Sequence, residues 1–261
     1  MKGNLIGGAN GGALYLNNFD EDMQCFIKNC RFTSCKSREG GALYVNNANA
    51  SVGKEISVVN CLFANNSSAT NGGAVYFRFG NKVKIENSLF DSNTASTEDL
   101  KGSGGAIYLH MNNDVNVKKS TFVGNSATQK GSVIYGNGNK EETQNIVTFE
   151  NSVLVKNVVK RTNMGRFAID ADNIGTNNIY ILKNSIVANN TNARNSIADM
   201  FIVNPSDKNV IQNSIVNGEY FDDATAESSK SKGKYKAYLT ESQITEILKG
   251  RGIKEPSKYR K

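Results

Sequence analysis

Arg166, Asp170 and Asp172 alternate with Phe167, Ile169 and Ala171. In an extended strand, residues two apart share a face. The guanidinium and both carboxylates then project to one side, away from the apolar set. Carboxylates so placed fall within the separations used in glycoside hydrolysis, which makes these three the candidate catalytic constellation. Alternating charges also line ordinary solvated strand faces. That plainer reading is preferred, and no catalytic residue is assigned. The chain has one histidine, His110. A Ser-His-Asp or Cys-His mechanism would have to use it, yet it follows Tyr108 and Leu109 with no neighbouring nucleophile, and it is read as a surface residue. Cys25, Cys30, Cys35 and Cys61 are spaced without a histidine partner, a poor match to zinc ligation. They are read as buried reduced thiols, and neither a metal nor a cofactor is expected.

The elements that must position these residues are visible as repeats. One signature is a small-residue pair followed by an aliphatic residue and a tyrosine: Gly11-Gly12-Ala13-Leu14-Tyr15, with copies ending at Tyr44, Tyr76 and Tyr108 and a degraded copy ending at Tyr135. A second signature joins a polar bend to a strand, as in Asn29-Cys30-Arg31-Phe32 and Asn87-Ser88-Leu89-Phe90. Its apolar anchors, Phe32, Phe63, Phe90, Phe122, Leu154, Val187 and Val216, lie 31, 27, 32, 32, 33 and 29 residues apart. Each bend follows a short alternating run, such as Val83-Lys84-Ile85 or Val115-Asn116-Val117, which reads as a half-buried strand. A unit with one strand before the bend, one through the anchor and one through the Gly-Gly-Ala segment cannot bury its apolar face alone. Stacked in register at about 4.8 Å, such units seal one core. The fold expected is all-β, a right-handed parallel β-helix of about seven rungs. The 37 asparagines and 24 glycines suit it, because both residues tolerate the left-handed conformations that tight bends require.

In this frame Asn66, Asn93, Asn125, Asn157 and Asn190 recur at one bend, where stacked amides can hydrogen-bond along the axis. Tyr15, Tyr44, Tyr76, Tyr108 and Tyr135 share another position. Their aliphatic neighbours are the better inward candidates, so the tyrosines form an outward ladder suited to stack on sugars or a partner strip. Cross-rung packing alone is the plainer reading of that ladder. Cys30 and Cys61 occupy one rung position. A disulfide between them is the alternative to two free thiols, since in-register neighbours fall near the short end of the roughly 4.4–6.8 Å that the bond allows.

Alternating Gly-Gly-Ala-Ile and Phe-x-x-Asn tetrapeptides resemble the repeats of polymorphic outer membrane proteins, the chlamydial-type surface autotransporters. Phe63 to Asn66, Phe90 to Asn93 and Phe122 to Asn125 match the second tetrapeptide in full, while Cys35 replaces the asparagine after Phe32. The resemblance covers roughly residues 7 to 217, and the Gly-Gly-Ala signature fades after residue 135. It implies a passenger or adhesin role at a cell surface, with a host or neighbouring cell surface, or a glycan, as partner. The same architecture carries lyases, hydrolases and tailspikes. A polysaccharide lyase or glycoside hydrolase is therefore the alternative function, and a structural spacer or self-associating segment the third.

Charge separates the tail from the rest. Up to Ser229 there are 21 basic and 21 acidic residues, against 10 and 3 from Lys230 onward. Polyanion contact is an expectation for the tail alone, and none with nucleic acid for the solenoid. The boundaries expected are a β-helix over 1–222, a basic flexible linker over 223–237 and a basic tail over 238–261. In the tail, Thr240-Glu241-Ser242-Gln243 forms a capping box ahead of Ile244, Ile247 and Leu248, and Gly250 is the stop signal. That short amphipathic helix is expected to cover the last rung. No secretory signal is visible at Met1 to Gly8. The chain is thus read as part of an extracellular or outer-membrane-associated protein whose export signal and flanking domains lie elsewhere.

Overall fold

The computed structural model describes residues 9–17, 24–47, 55–96, 101–138, 143–160, 168–171, 178–196, 210–216, 219–224, 235–236 and 239–253. Its repeating unit has four strands, here Lys82–Glu86, Leu89–Asp91, Thr94–Ala95 and Ile107–Met111. Alternation decides the facing: Val83 and Ile85 are buried while Lys82 and Lys84 are exposed. Each strand lies parallel and in register between its equivalents. Val83 pairs with Ile56 and Val115, Phe90 with Phe63 and Phe122, and Tyr108 with Tyr76 and Tyr135. The strands form four columns, called first to fourth in chain order. The two-residue third column, for example Ser67–Ser68 beneath Thr94–Ala95, is an addition to the three strands expected.

Five coils are complete in all four columns, starting at Cys25–Lys28, Glu55–Val59, Lys82–Glu86, Asp114–Lys118 and Ile146–Glu150. A sixth has the strands Ile179–Lys183, Ile186–Ala188 and Thr191–Asn192, and a seventh level is the single strand Val210–Val216, which pairs with the first and second columns together. The expected seven rungs therefore counted levels, and the correction is to five full turns. The spacing of one anchor residue cannot register whether a coil completes its circuit.

Three of the four bends share one pattern, a single left-handed residue followed by a side chain, most often polar, that stacks on its equivalents. Between the first and second columns the left-handed residues are Asn29, Asn60, Asn87, Lys119, Asn151, Asn184 and Asn213, with φ from 47 to 54°. The next residue is Cys30, Cys61, Ser88, Ser120, Ser152, Ser185 or Ser214. The backbone N–H of Ser88 donates to Ser120 Oγ at 3.1 Å, and that of Ser120 to Ser152 Oγ at 3.3 Å. Between the second and third columns, Asn66, Asn93, Asn125, Asn157 and Asn190 stack in full burial. Each of the first four amides donates to the carbonyl oxygen of the next at 2.7–2.9 Å. Asn81, Asn113, Asn145 and Asn178 make a second such ladder before the first column. In the Gly-Gly pairs the first glycine takes a positive φ, 68° at Gly72. At the second the backbones nearly touch, and a Cβ on Gly73 would stand 2.1 Å from the Gly105 carbonyl oxygen.

Inside, Phe32, Phe63, Phe90 and Phe122 stack with ring centroids 4.6–4.8 Å apart, and Leu154, Val187 and Val216 continue the column. One core cluster runs from Ile27 to Val216. Where the fourth column narrows to Gly136, a Cβ would come within 2.9 Å of the Tyr180 hydroxyl, so the larger side chain of the sixth coil occupies the space.

Past Val216 the chain reverses. Val210–Val216 pairs antiparallel with Glu219–Ala224, which pairs antiparallel with Tyr235–Lys236. An antiparallel strand on the last parallel edge supplies backbone partners that would otherwise face water. These strands enter the 223–237 segment read as a linker. Helix α1 then runs Glu241–Gly250, with the Thr240/Gln243 capping box formed as expected. It ends at Gly250, the stop read from the sequence, and the left-handed closing residue follows at Gly252. Gly252 takes φ 77°, and the N–H groups of Gly252 and Ile253 donate to Lys249 and Leu248 oxygens, a Schellman close. The expected position is also corrected, because α1 lies along the flank and not over the last rung. Ile244, Leu248 and Ile253 pack on Val123, Val153, Val155 and Ala188, the outward side chains of the second column. Asn189 Nδ2 donates to the Leu239 oxygen and Arg251 Nη2 to the Asn151 oxygen, at 3.1 and 2.7 Å.

Candidate functional site

The outer face of the first column is built by three rows of side chains at strand spacing. Register places Glu55, Lys82 and Asp114 in one row and Phe26, Ser57, Lys84, Asn116 and Thr148 in the next. Lys28, Val59, Glu86, Lys118, Glu150 and Lys183 form the third. Signs alternate from coil to coil across the first row and from Glu86 to Lys183 in the third, so each of these charges has an opposite neighbour about 4.8 Å along the axis. Lys84 Nζ lies 2.9 Å from Glu86 Oε2, and Lys118 Nζ lies 3.1 Å from Glu150 Oε1. The rows enclose an open groove of ≈ 320 Å³ lined by Glu55, Lys82, Lys84, Glu86, Asp114, Lys118 and Glu150, among others. At its N-terminal end stands Phe26, 55% exposed, with Lys28 Nζ 4.3 Å above the ring centroid. The hydrogen bond from Lys84 holds the Glu86 carboxyl below its ordinary range, and the same bond raises Lys84.

The expected catalytic constellation falls largely outside the described residues. Arg166 and Asp172 lie outside the described residues, and of Asp170 only the backbone is described. That backbone pairs with Tyr135, which puts Asp170 at the next step of the tyrosine column. Tyr15, Tyr44, Tyr76, Tyr108 and Tyr135 do form one ladder outside the main core, with centroids 4.7–5.4 Å apart. The open strip expected of them is corrected, however. Tyr44, Tyr76, Tyr108 and Tyr135 are buried, and only Tyr15, at 47%, presents its ring to solvent. Burial raises the Tyr44 hydroxyl first, and the carboxylate of Glu39 adds to it. His110 is half-buried, not a free surface residue: its ring meets Phe79 edge-on at 4.9 Å. Burial, and then Arg78, lowers its pKa. All four cysteines are free thiols, Cys35 and Cys61 buried and the other two partly so. No group of three or more His, Cys, Asp or Glu among the described residues is placed to hold a metal.

The charged rows are hard to find in the sequence because their residue types change from coil to coil. Their signal was there: the outward positions of Val83-Lys84-Ile85-Glu86 and Val115-Asn116-Val117-Lys118 can be aligned on the same period as the phenylalanines. With the coils and their faces in place, comparison with known proteins agrees on class. Residues 1–179 match the model of the right-handed β-helix region, and the chain belongs to that family. Neither a search of curated proteins nor one of solved structures gave a match.

Proposed function

We propose that this solenoid is a non-enzymatic adhesion or display module of a secreted or cell-surface protein, and that the outer face of the first column meets its ligand, a glycan. The observation that carries this reading is the exposed Phe26 ring at the end of a groove of paired charges. An aromatic face stacks on the apolar side of a sugar ring, and flanking polar groups hydrogen-bond its hydroxyls. The rigid coils fix those groups at regular steps suited to a repeating polymer.

The rival reading is a β-helix polysaccharide lyase or hydrolase, favoured by four carboxylates, Glu55, Glu86, Asp114 and Glu150, in the same groove. The contacts argue against it: Glu86 is held by Lys84 at 2.9 Å and Glu150 by Lys118 at 3.1 Å, which favours the ionised carboxylate over the protonated form a general acid needs. The test is retention of the purified chain on a panel of immobilised neutral and anionic polysaccharides, with product analysis of the same polymers. The expected result is retention that falls at least tenfold in Phe26→Ser and in Lys84→Glu, with the polymers uncut. Cleavage that is lost in Glu86→Gln or Asp114→Asn would establish the enzyme reading instead.

A further inference from the structure

Among the four cysteines, two share a column. Lys28 pairs with Val59 and Arg31 with Leu62, so Cys30 and Cys61 face each other across adjacent coils, and the Leu62 N–H donates to the Cys30 oxygen at 2.9 Å. Neither of the others has a thiol stacked on it: Cys25 pairs with Ile56, and the Cys35 N–H donates to Asn66 Oδ1. Both sulfurs are turned to the same side of the bend. Cys30 Sγ donates to the Lys28 oxygen at 3.2 Å, and Cys61 Sγ lies 3.3 Å from the oxygens of Val59 and Ile27. The Ile27 contact reaches down into the coil of Cys30. In-register parallel neighbours have Cα atoms about 4.8 Å apart, inside the roughly 4.4–6.8 Å range of a disulfide. Cys30 is half-buried and Cys61 almost fully buried at 3% exposure, so an external reagent reaches Cys30 first.

We propose that Cys30 and Cys61 are a redox modification site, which a small-molecule disulfide converts into a covalent clamp between the first two complete coils. The Cys30 thiolate attacks one sulfur of the reagent, forming a mixed disulfide and expelling one thiolate that takes up a proton. Cys61 then attacks the Cys30 sulfur, the internal disulfide forms, and the second reagent thiol leaves. Two protein thiols are oxidised and one reagent disulfide is reduced to two thiols. The clamp ties down the coil that carries the exposed Tyr15-side edge and Phe26 of the candidate ligand face.

The test treats the reduced, purified chain with oxidised glutathione and measures free thiols, intact mass and the linked peptides. Serine is a safe replacement at this position, since Ser88, Ser120, Ser152, Ser185 and Ser214 fill it in later coils. The expected result is the loss of two thiols and two hydrogens, with one internal link joining Cys30 to Cys61. In Cys61→Ser, glutathione remains on Cys30 and no link forms. The proposal is overturned if both thiols stay free, if the link involves Cys25 or Cys35, or if the natural chain keeps glutathione on Cys30.

Discussion

A ladder asparagine makes four hydrogen bonds with one amide, which makes it costly to lose. Asn125 Nδ2 donates to the Phe90 oxygen at 3.0 Å and to Asn157 Oδ1 at 2.9 Å. Its Oδ1 accepts from the Asn93 backbone N–H and from Asn93 Nδ2, at 3.0 and 2.9 Å. Asn125→Ala strips partners from groups in two neighbouring coils, and each unsatisfied buried group costs about 1–3 kcal/mol. The expected loss is on the order of 3 kcal/mol or more, read as a lower urea midpoint. A midpoint unchanged from the parent would show that the ladder is ornamental. At this scale the first asparagine ladder was legible, because a Phe-x-x-Asn spacing marks Asn66, Asn93 and Asn125, and the same offset from Leu154 and Val187 gives Asn157 and Asn190. The second, at Asn81, Asn113, Asn145 and Asn178, was not, since no aromatic marks it. The tyrosines were legible as a column but not as a buried one, for a sequence carries no sign of what lies over an outward residue.

The tail helix illustrates the same division among elements. Its start was readable from Thr240 and Gln243, whose reciprocal bonds are local. Its end at Gly250 was readable too, whereas the left-handed close falls at Gly252, because two glycines bracket Arg251 and only backbone geometry distinguishes them. Its docking place depends on tertiary contacts, though a trace exists: Val153-Leu154-Val155 and Ile186-Val187-Ala188 lack the polar outer positions of Arg31-Phe32-Thr33. Strands apolar on both faces are covered on both faces. Leu248→Asp places a charge in that cover, and α1 is expected to leave the flank while the coils persist. Hydrogen exchange over 241–250 would rise by at least tenfold, with far-ultraviolet circular dichroism of the β type retained. Unchanged protection of α1 would contradict its packing on Val123, Val155 and Ala188.

For the molecule as a whole, repetition divides labour between inside and outside. Phenylalanine, asparagine, serine and glycine recur because each coil must offer the next the same template. The outward rows vary, and variation there leaves a face free to acquire a ligand. Fold class was therefore legible from the repeats alone, whereas the groove beside Phe26 required the register between coils. The number of complete turns, and the antiparallel close after Val216, depended on segments in which the repeat weakens. The core that joins the coils is the claim on which the groove and the clamp both stand, since each needs neighbouring coils held in register. Phe90 is fully buried between Phe63 and Phe122, so Phe90→Asp inserts an unpaired charge midway along the stack, a change that costs upwards of about 4 kcal/mol. Thermal unfolding followed by circular dichroism is the direct measurement. A continuous core predicts that Phe90→Asp loses or sharply lowers the main transition, while Phe90→Leu, which keeps the site apolar, lowers it only modestly. A Phe90→Asp chain that melts like the parent would contradict the stack.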